Sequence, residues 1–292
     1  MKFEWVQDMD FMTNGGGAQL TDRTHFFEGV RRGHTINIIT PDKVYLLDFA
    51  TEGVIVSNSS MFPLELFQKC LELGTPLVIF SHDYTPICKY RLFYPMQESC
   101  KQCYLRERWL PVLKESKLII WLSPLHRESW LWLYPELEEI PYHLSPSPVP
   151  TELFHDLELP RSGAIAVESL HPFKGREHVL RWIEENPEVR VTLIGGNPYP
   201  GDGLPPNCNY HEYIPYGGLN DLYNHHEFLL HLPQSPSPFD RTVVEAYLAG
   251  CRVLGNSNIG ALSYPWFKSR EDVIEHCRKS PTEFWEKVES VL

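Results

Sequence analysis

The chain has 292 residues, 42% hydrophobic and 22% charged, with a formal net charge of −12. Those figures describe a soluble globular protein long enough for two ordinary domains, and no apolar run reaches the roughly eighteen residues of a membrane span. The acidic excess speaks against nucleic acid or an anionic membrane as a bulk partner, because both would be repelled.

Read in chain order, the opening MKFEWVQDMD is too acidic and too briefly apolar for a secretory signal. FEWVQD, TINIIT, GVIVSN, PLVIFSHD and KLIIWLS then read as strands apolar on both faces. Helical patterns lie between several of them, at 19–32, 63–73, 99–114 and 124–134. The second half repeats the style, with strands GAIAVES, RVTLIGG, EFLLHLP and CRVLGN and helices at 176–185, 219–224 and 242–249. Such alternation requires crossover connections and so a mostly parallel sheet. The proline- and serine-rich PYHLSPSPVPTELFHDLELPRSG separates the halves, which sets the domains at 1–150 and 151–292. The expected fold class is α/β, two Rossmann-like domains facing across a cleft.

Ligands of such sheets sit at the C-terminal strand ends, and four stretches there carry chemistry. TNGGGAQ follows the first strand and opens the first helix. Its Gly15, Gly16 and Gly17 let a backbone approach a ligand closely, and the helix offers free N–H groups to an anion. The run lacks GxGxxG spacing, so a flexible turn explains it equally well. In SHDY, His82 comes straight off a buried strand, where it either meets a phosphate or sugar hydroxyl or is a satisfied core histidine. HPFKG sets His171 and Lys174 after the first strand of the second half. A lysine there suits a phosphate, though an exposed lysine needs no explanation. SPSPFDRTVVEAYLAG is a proline-broken loop running into a helix, with Glu245 one turn inside. Loops of that form bring a helix N-terminus and one carboxylate against a ligand bearing phosphates and hydroxyls.

Taken in order, GGGAQ…FFEGVRRGHTINIITP, PLVIFSHDYTPIC, HPFKGREHVLRWIEENPEVRVTLIGG and NYHEYIPYGGLNDLYNHHEFLLHLPQSPSPFDRTVVEAYLAGCRVLGNSNIGA resemble the GT-B glycosyltransferases of the large retaining family 4, glycosyl transferases group 1. The resemblance covers most of the chain. It implies a hexosyltransferase-like enzyme that moves a sugar from a nucleoside diphosphate sugar to a saccharide, glycolipid or glycoprotein acceptor with retained configuration. No cofactor and no metal are required on this reading. It carries His82 and Lys174 over as catalytic residues, and Gly15, Gly16, Gly17, His171, Ser237, Phe239, Asp240, Arg241, Thr242 and Glu245 as donor-binding residues. Glu245 would accept hydrogen bonds from the ribose diol, and the N–H groups around Arg241 and Thr242 would meet the diphosphate. The acceptor would be met by loops at 57–63 and 89–99.

Two departures stand out. The family's first glutamate of its pair falls here on Ser237, and an arginine ahead of the lysine falls on Ser169. They keep open a second function, a catalytically degenerate binding or regulatory module on the same fold. Cys88, Cys100 and Cys103, with His82 nearby in sequence, either hold a structural zinc or are incidental. Seven cysteines, an odd number, point to reduced thiols in the cytoplasm. The aromatic run WLWLYPELEE is expected to pack into the core, leaving at most peripheral membrane contact.

Overall fold

The computed structural model describes residues 1–13, 15–85, 88, 98–197, 199 and 203–292. Most of the expected acceptor loop at 89–99 therefore lies outside the described residues. The chain forms two compact units, Met1–Pro148 with Lys279–Leu292, and Val149–Arg278.

The first unit runs β1 (Lys2–Val6), α1 (Gly17–Arg31), β2 (Thr35–Ile39), β3 (Gly53–Val56), α2 (Leu64–Glu72), β4 (Leu77–Phe80), α3 (Tyr104–Glu115), β5 (Leu118–Trp121), α4 (Pro124–Leu133) and β6 (Tyr142–Leu144). The six strands are parallel in the order β2-β1-β3-β4-β5-β6. GVIV, LVIF and LIIW are buried along their whole length, as strands covered on both faces must be. Trp130 and Tyr134 are fully buried, so the aromatic run is core as expected.

The second unit runs β7 (Ala164–Val167), α5 (Arg176–Glu185), β8 (Val191–Ile194), β9 (Cys208–His211), α6 (Leu219–His225), β10 (Phe228–His231), α7 (Arg241–Leu248) and β11 (Arg252–Gly255), and then enters α8 (Arg270–Val291). Its parallel sheet has the order β11-β10-β7-β8-β9. Ala164, Ala166, Val179, Ile183, Leu193 and Leu230 form its core.

The division differs from the 1–150 and 151–292 reading at the end of the chain. Residues 279–292, the second part of α8, pack into the first unit. The reason is apolar burial. Phe284 and Trp285 lie in ring contact with Trp5, and the Trp285 indole N–H donates to His25 O at 2.7 Å. Gly29 of α1 makes room for them, since a Cβ there would stand 2.3 Å from the Trp285 ring. Strand β6 lies inside the proline-rich stretch that was expected to be linker.

Candidate functional site

At the C-terminal edge of the first sheet, Gly15, Gly16 and Gly17 are exposed and lead into α1. Gly16 is extended (φ −70°), and a Cβ on Gly15 would meet nothing within 4 Å. The buried face of α1 is polar, with Thr21, Asp22, His25 and Gly29. Asp22 is fully buried and holds two partners: His82 Nε2 lies 2.6 Å from Oδ1, and Ser57 Oγ donates to Oδ2 at 2.5 Å. The contact between Asp22 and Nε2 orients the imidazole ring. The Phe80 ring, 4.3 Å from that of His82, packs against it.

At the corresponding edge of the second sheet, β7 leads through Glu168, whose φ is 53°, to a short 3-10 turn, Pro172–Lys174. Gly175 ends that turn at φ 90°, where a Cβ would stand 1.8 Å from Leu232 O. Here only glycine fits, and it seats Lys174 beside the loop that follows β10. Lys174 Nζ lies 3.8 Å from Asp240 Oδ1, its side chain 35% exposed. Asp240, at φ 69°, stands immediately before α7. His231 Nε2 lies 3.1 Å from Asp240 Oδ1, and Ser237 Oγ donates to Oδ2. Burial alone would raise the Asp240 carboxyl, but His231, Lys174 and Ser237 outweigh it and hold it at about 2.

One turn further on, Glu245 is 3% exposed, which rules out a solvent-facing helix glutamate. Tyr216 donates its hydroxyl to Glu245 Oε1 at 2.7 Å, Arg241 Nη2 donates to that hydroxyl at 3.2 Å, and Arg241 Nε lies 3.6 Å from Oε1. Burial raises the Glu245 carboxyl, with Arg241 and Tyr216 acting against it. His171 is half-buried and stacks on Phe173, with ring centroids 5.4 Å apart. Thr242 is half-buried in the first turn of α7.

Three further positions are defined by their surroundings. Phe239 is 2% exposed and packs edge-on against Tyr264, so its side chain belongs to the core and only its backbone is left for a ligand. Ser169 is 1% exposed and donates to Val167 O at 3.1 Å, so the side chain at that position turns inward. Cys88, Cys100 and Cys103 are free, and among the described residues they form no metal-ligand cluster with His82, which is committed to Asp22. Asp22, Tyr216 and His231 join the site unannounced by the motifs, and Ser57 opens the loop 57–63 that the resemblance turns to the acceptor. A signal existed for two of them: Asp22 lies on a polar stripe of an otherwise sheet-covering helix, and His231 ends an apolar strand (FLLH) much as His82 follows LVIF.

Two parallel α/β sheets, each with its chemistry at the C-terminal strand ends, define the GT-B fold, and solved structures agree. The chain is similar to sucrose-phosphate synthase from Thermosynechococcus elongatus, at 13% identity and TM-score 0.67, over 99% of this chain and 94% of that one. It is also similar to Anabaena HepE in complex with UDP and glucose (14% identity, TM-score 0.63, 98% and 91% covered). A glycosyltransferase from Rickettsia africae ESF-5 aligns at 11% identity and TM-score 0.61, with 99% and 93% covered. Residues 176–292 match the family described as Glycosyl transferase-like. No curated protein sequence matches the chain significantly.

Proposed function

We propose that this chain is a glycosyltransferase that moves a sugar, with retention, from a nucleoside diphosphate sugar to a saccharide or glycoconjugate acceptor, as a member of the retaining family 4. The observation that carries the reading is the buried carboxylate of Glu245 beside Arg241 at the start of α7. A carboxylate accepts from a ribose diol, while the first N–H groups of α7 and Arg241 meet a diphosphate. Lys174 stabilises the departing diphosphate as charge develops on it. A leaving phosphate oxygen takes the acceptor's proton, so the reaction calls for no protein base.

The match of residues 176–292 to a glycosyl transferase-like family and the Anabaena structure holding UDP and glucose support the same reading. The seven free cysteines support a reducing compartment, the cytoplasm. Among the described residues no helix is long and apolar enough to cross a membrane.

Two observations favour the second reading, a binding module without turnover: Lys174 already faces Asp240, and Ser169 points inward. Thermal-shift titration with UDP, GDP, ADP and their sugars tests donor binding. At a hundred times its dissociation constant a ligand stabilises by about 2.7 kcal/mol. No shift with any of them overturns both readings, and a shift without transfer or hydrolysis selects the module.

A further inference from the structure

Gln7 follows β1 at the C-terminal edge of the first sheet, its backbone N–H donating to Ile39 O at 3.0 Å, and it is 1% exposed. Neither atom of its side-chain amide has a hydrogen-bond partner among the described residues. Buried polar groups are nearly always paired, so an amide left this way calls for a reason.

Its surroundings give one. Strand alternation puts Gln7 on the face of Phe3 and Trp5, which Phe284 and Trp285 cover further down. The neighbouring strand ends contribute Ser57, after β3, and His82, after β4, both reaching Asp22 of α1 on that face. Backbone pairing continues to this level, with Ser57 N–H donating to Val6 O at 3.0 Å and Asp8 N–H to Asn58 O at 2.6 Å. His82 Nδ1 is likewise buried and without a partner among the described residues. The unpartnered atoms at these strand ends are therefore an amide that both donates and accepts, and a ring nitrogen that accepts in neutral imidazole, with the Trp5 indole N–H further down the same face.

That set does not suit a phosphate, which calls for cations. Nor does it suit an ammonium group, since both oxygens of Asp22 are engaged. Hydroxyl groups suit it, since one can donate to Gln7 Oε1 or His82 Nδ1 while another accepts from Gln7 Nε2. We propose that Gln7 is a hydroxyl-reading residue of the first unit, selecting the hydroxyl pattern of a sugar ring whose contact with His82 the family resemblance already implies. The inference rests on the transferase reading for the ring's source, donor or acceptor.

Gln7→Met tests it, being close in volume and free of polar atoms. Melting curves and calorimetry would compare it with wild type, using UDP, UDP-glucose, UDP-galactose, UDP-N-acetylglucosamine and free glucose and maltose. The variant should be at least as stable as wild type, because an unpaired buried amide is gone. Its affinity for UDP should be unchanged, while the gain from an attached or free sugar falls about tenfold. Loss of the nucleotide-sugar gain assigns the ring to the donor; loss confined to free sugars assigns it to the acceptor. A less stable Gln7→Met, a sugar gain independent of residue 7, or a wild-type chain that gains nothing from any sugar overturns this role of Gln7. Absence of UDP binding to wild type overturns the transferase reading instead, and the free-sugar arm still decides Gln7.

Discussion

The two sheets end in contrasting chemistry. At the first edge, Ser57 and His82 hold the buried Asp22, with Gln7 alongside, and Asp8 accepts from the backbone N–H groups of Ser60 and Met61. At the second, Lys174 and His231 face Asp240 and Arg241 faces Glu245. Both edges stand on the same parallel scaffold, so the difference lies in the residues that follow each strand. An edge of hydroxyl, amide and imidazole groups suits hydroxyls, and one that carries a lysine and an arginine suits phosphates and a diol. The glycines differ in the same way: Gly175 is required by the fold, whereas a Cβ on Gly15 would meet nothing within 4 Å.

The largest expected effect comes from Gly175. Gly175→Ala combines a left-handed backbone with a Cβ driven against Leu232 O. A loss of about 3 kcal/mol or more is expected. Denaturant unfolding, with a spectroscopic probe in each unit, should show the loss in the second unit first. A variant as stable as wild type would mean that the turn before α5 relaxes freely.

The carboxylates give the next effect, with opposite signs. Asp240 has its pKa lowered from 3.8 to about 2. Its contribution to stability is therefore full above about pH 4 and lost as pH falls towards 2, amounting to something on the order of 2 kcal/mol. Glu245 is shifted upward, so its ionised form opposes folding and that cost is relieved as pH falls through its raised pKa. Asp240→Asn should destabilise at neutral pH and flatten the acid limb of the stability profile. Glu245→Gln should be no less stable than wild type, yet bind nucleotide more weakly. Equal destabilisation by both variants would erase the distinction between the two carboxylates.

Lys174→Ala should lower affinity for a nucleoside diphosphate about tenfold and leave the nucleoside unaffected, as expected for one charge-assisted contact. The effect should shrink at high salt. Calorimetry with UDP and uridine checks it, and equal weakening of both would show that the lysine does not read phosphate. Ser169→Arg would not restore the second cation of the family pattern. An arginine there would be buried where Ser169 Oγ now bonds Val167 O.

The legibility of these features followed a physical rule. Strands buried on both faces write themselves as continuous apolar runs, so β3, β4, β5 and β7 were plain. The edge strands β6 and β9 are short, partly exposed and polar, as YHL and CNYH, and carry no such pattern. Helix α8 was missed because its residues serve two units in turn and Pro281 interrupts the helical signal. At the site, Lys174 and Glu245 were readable because each belongs to a local loop-and-helix unit. Asp22, Tyr216, His231 and Gln7 were not. Each acquires meaning only from partners far away in sequence, such as Asp22 from His82 and Tyr216 from Glu245.

The smallest effect on stability, and the sharpest test of the contrast, belongs to Gly15. A Cβ there would meet nothing within 4 Å, so Gly15→Ala should leave stability within about 0.5 kcal/mol of wild type. If the glycine serves a ligand approaching the N-terminus of α1, the added methyl group should weaken binding of the nucleotide sugar or of the free sugar several-fold. Gly175→Ala should do the reverse, with a large loss of stability that accounts for any loss of binding. Paired melting and titration of the two variants separates these patterns. Unaltered binding in Gly15→Ala would reduce the triple glycine to a turn and leave the first edge to Gln7 and His82 alone.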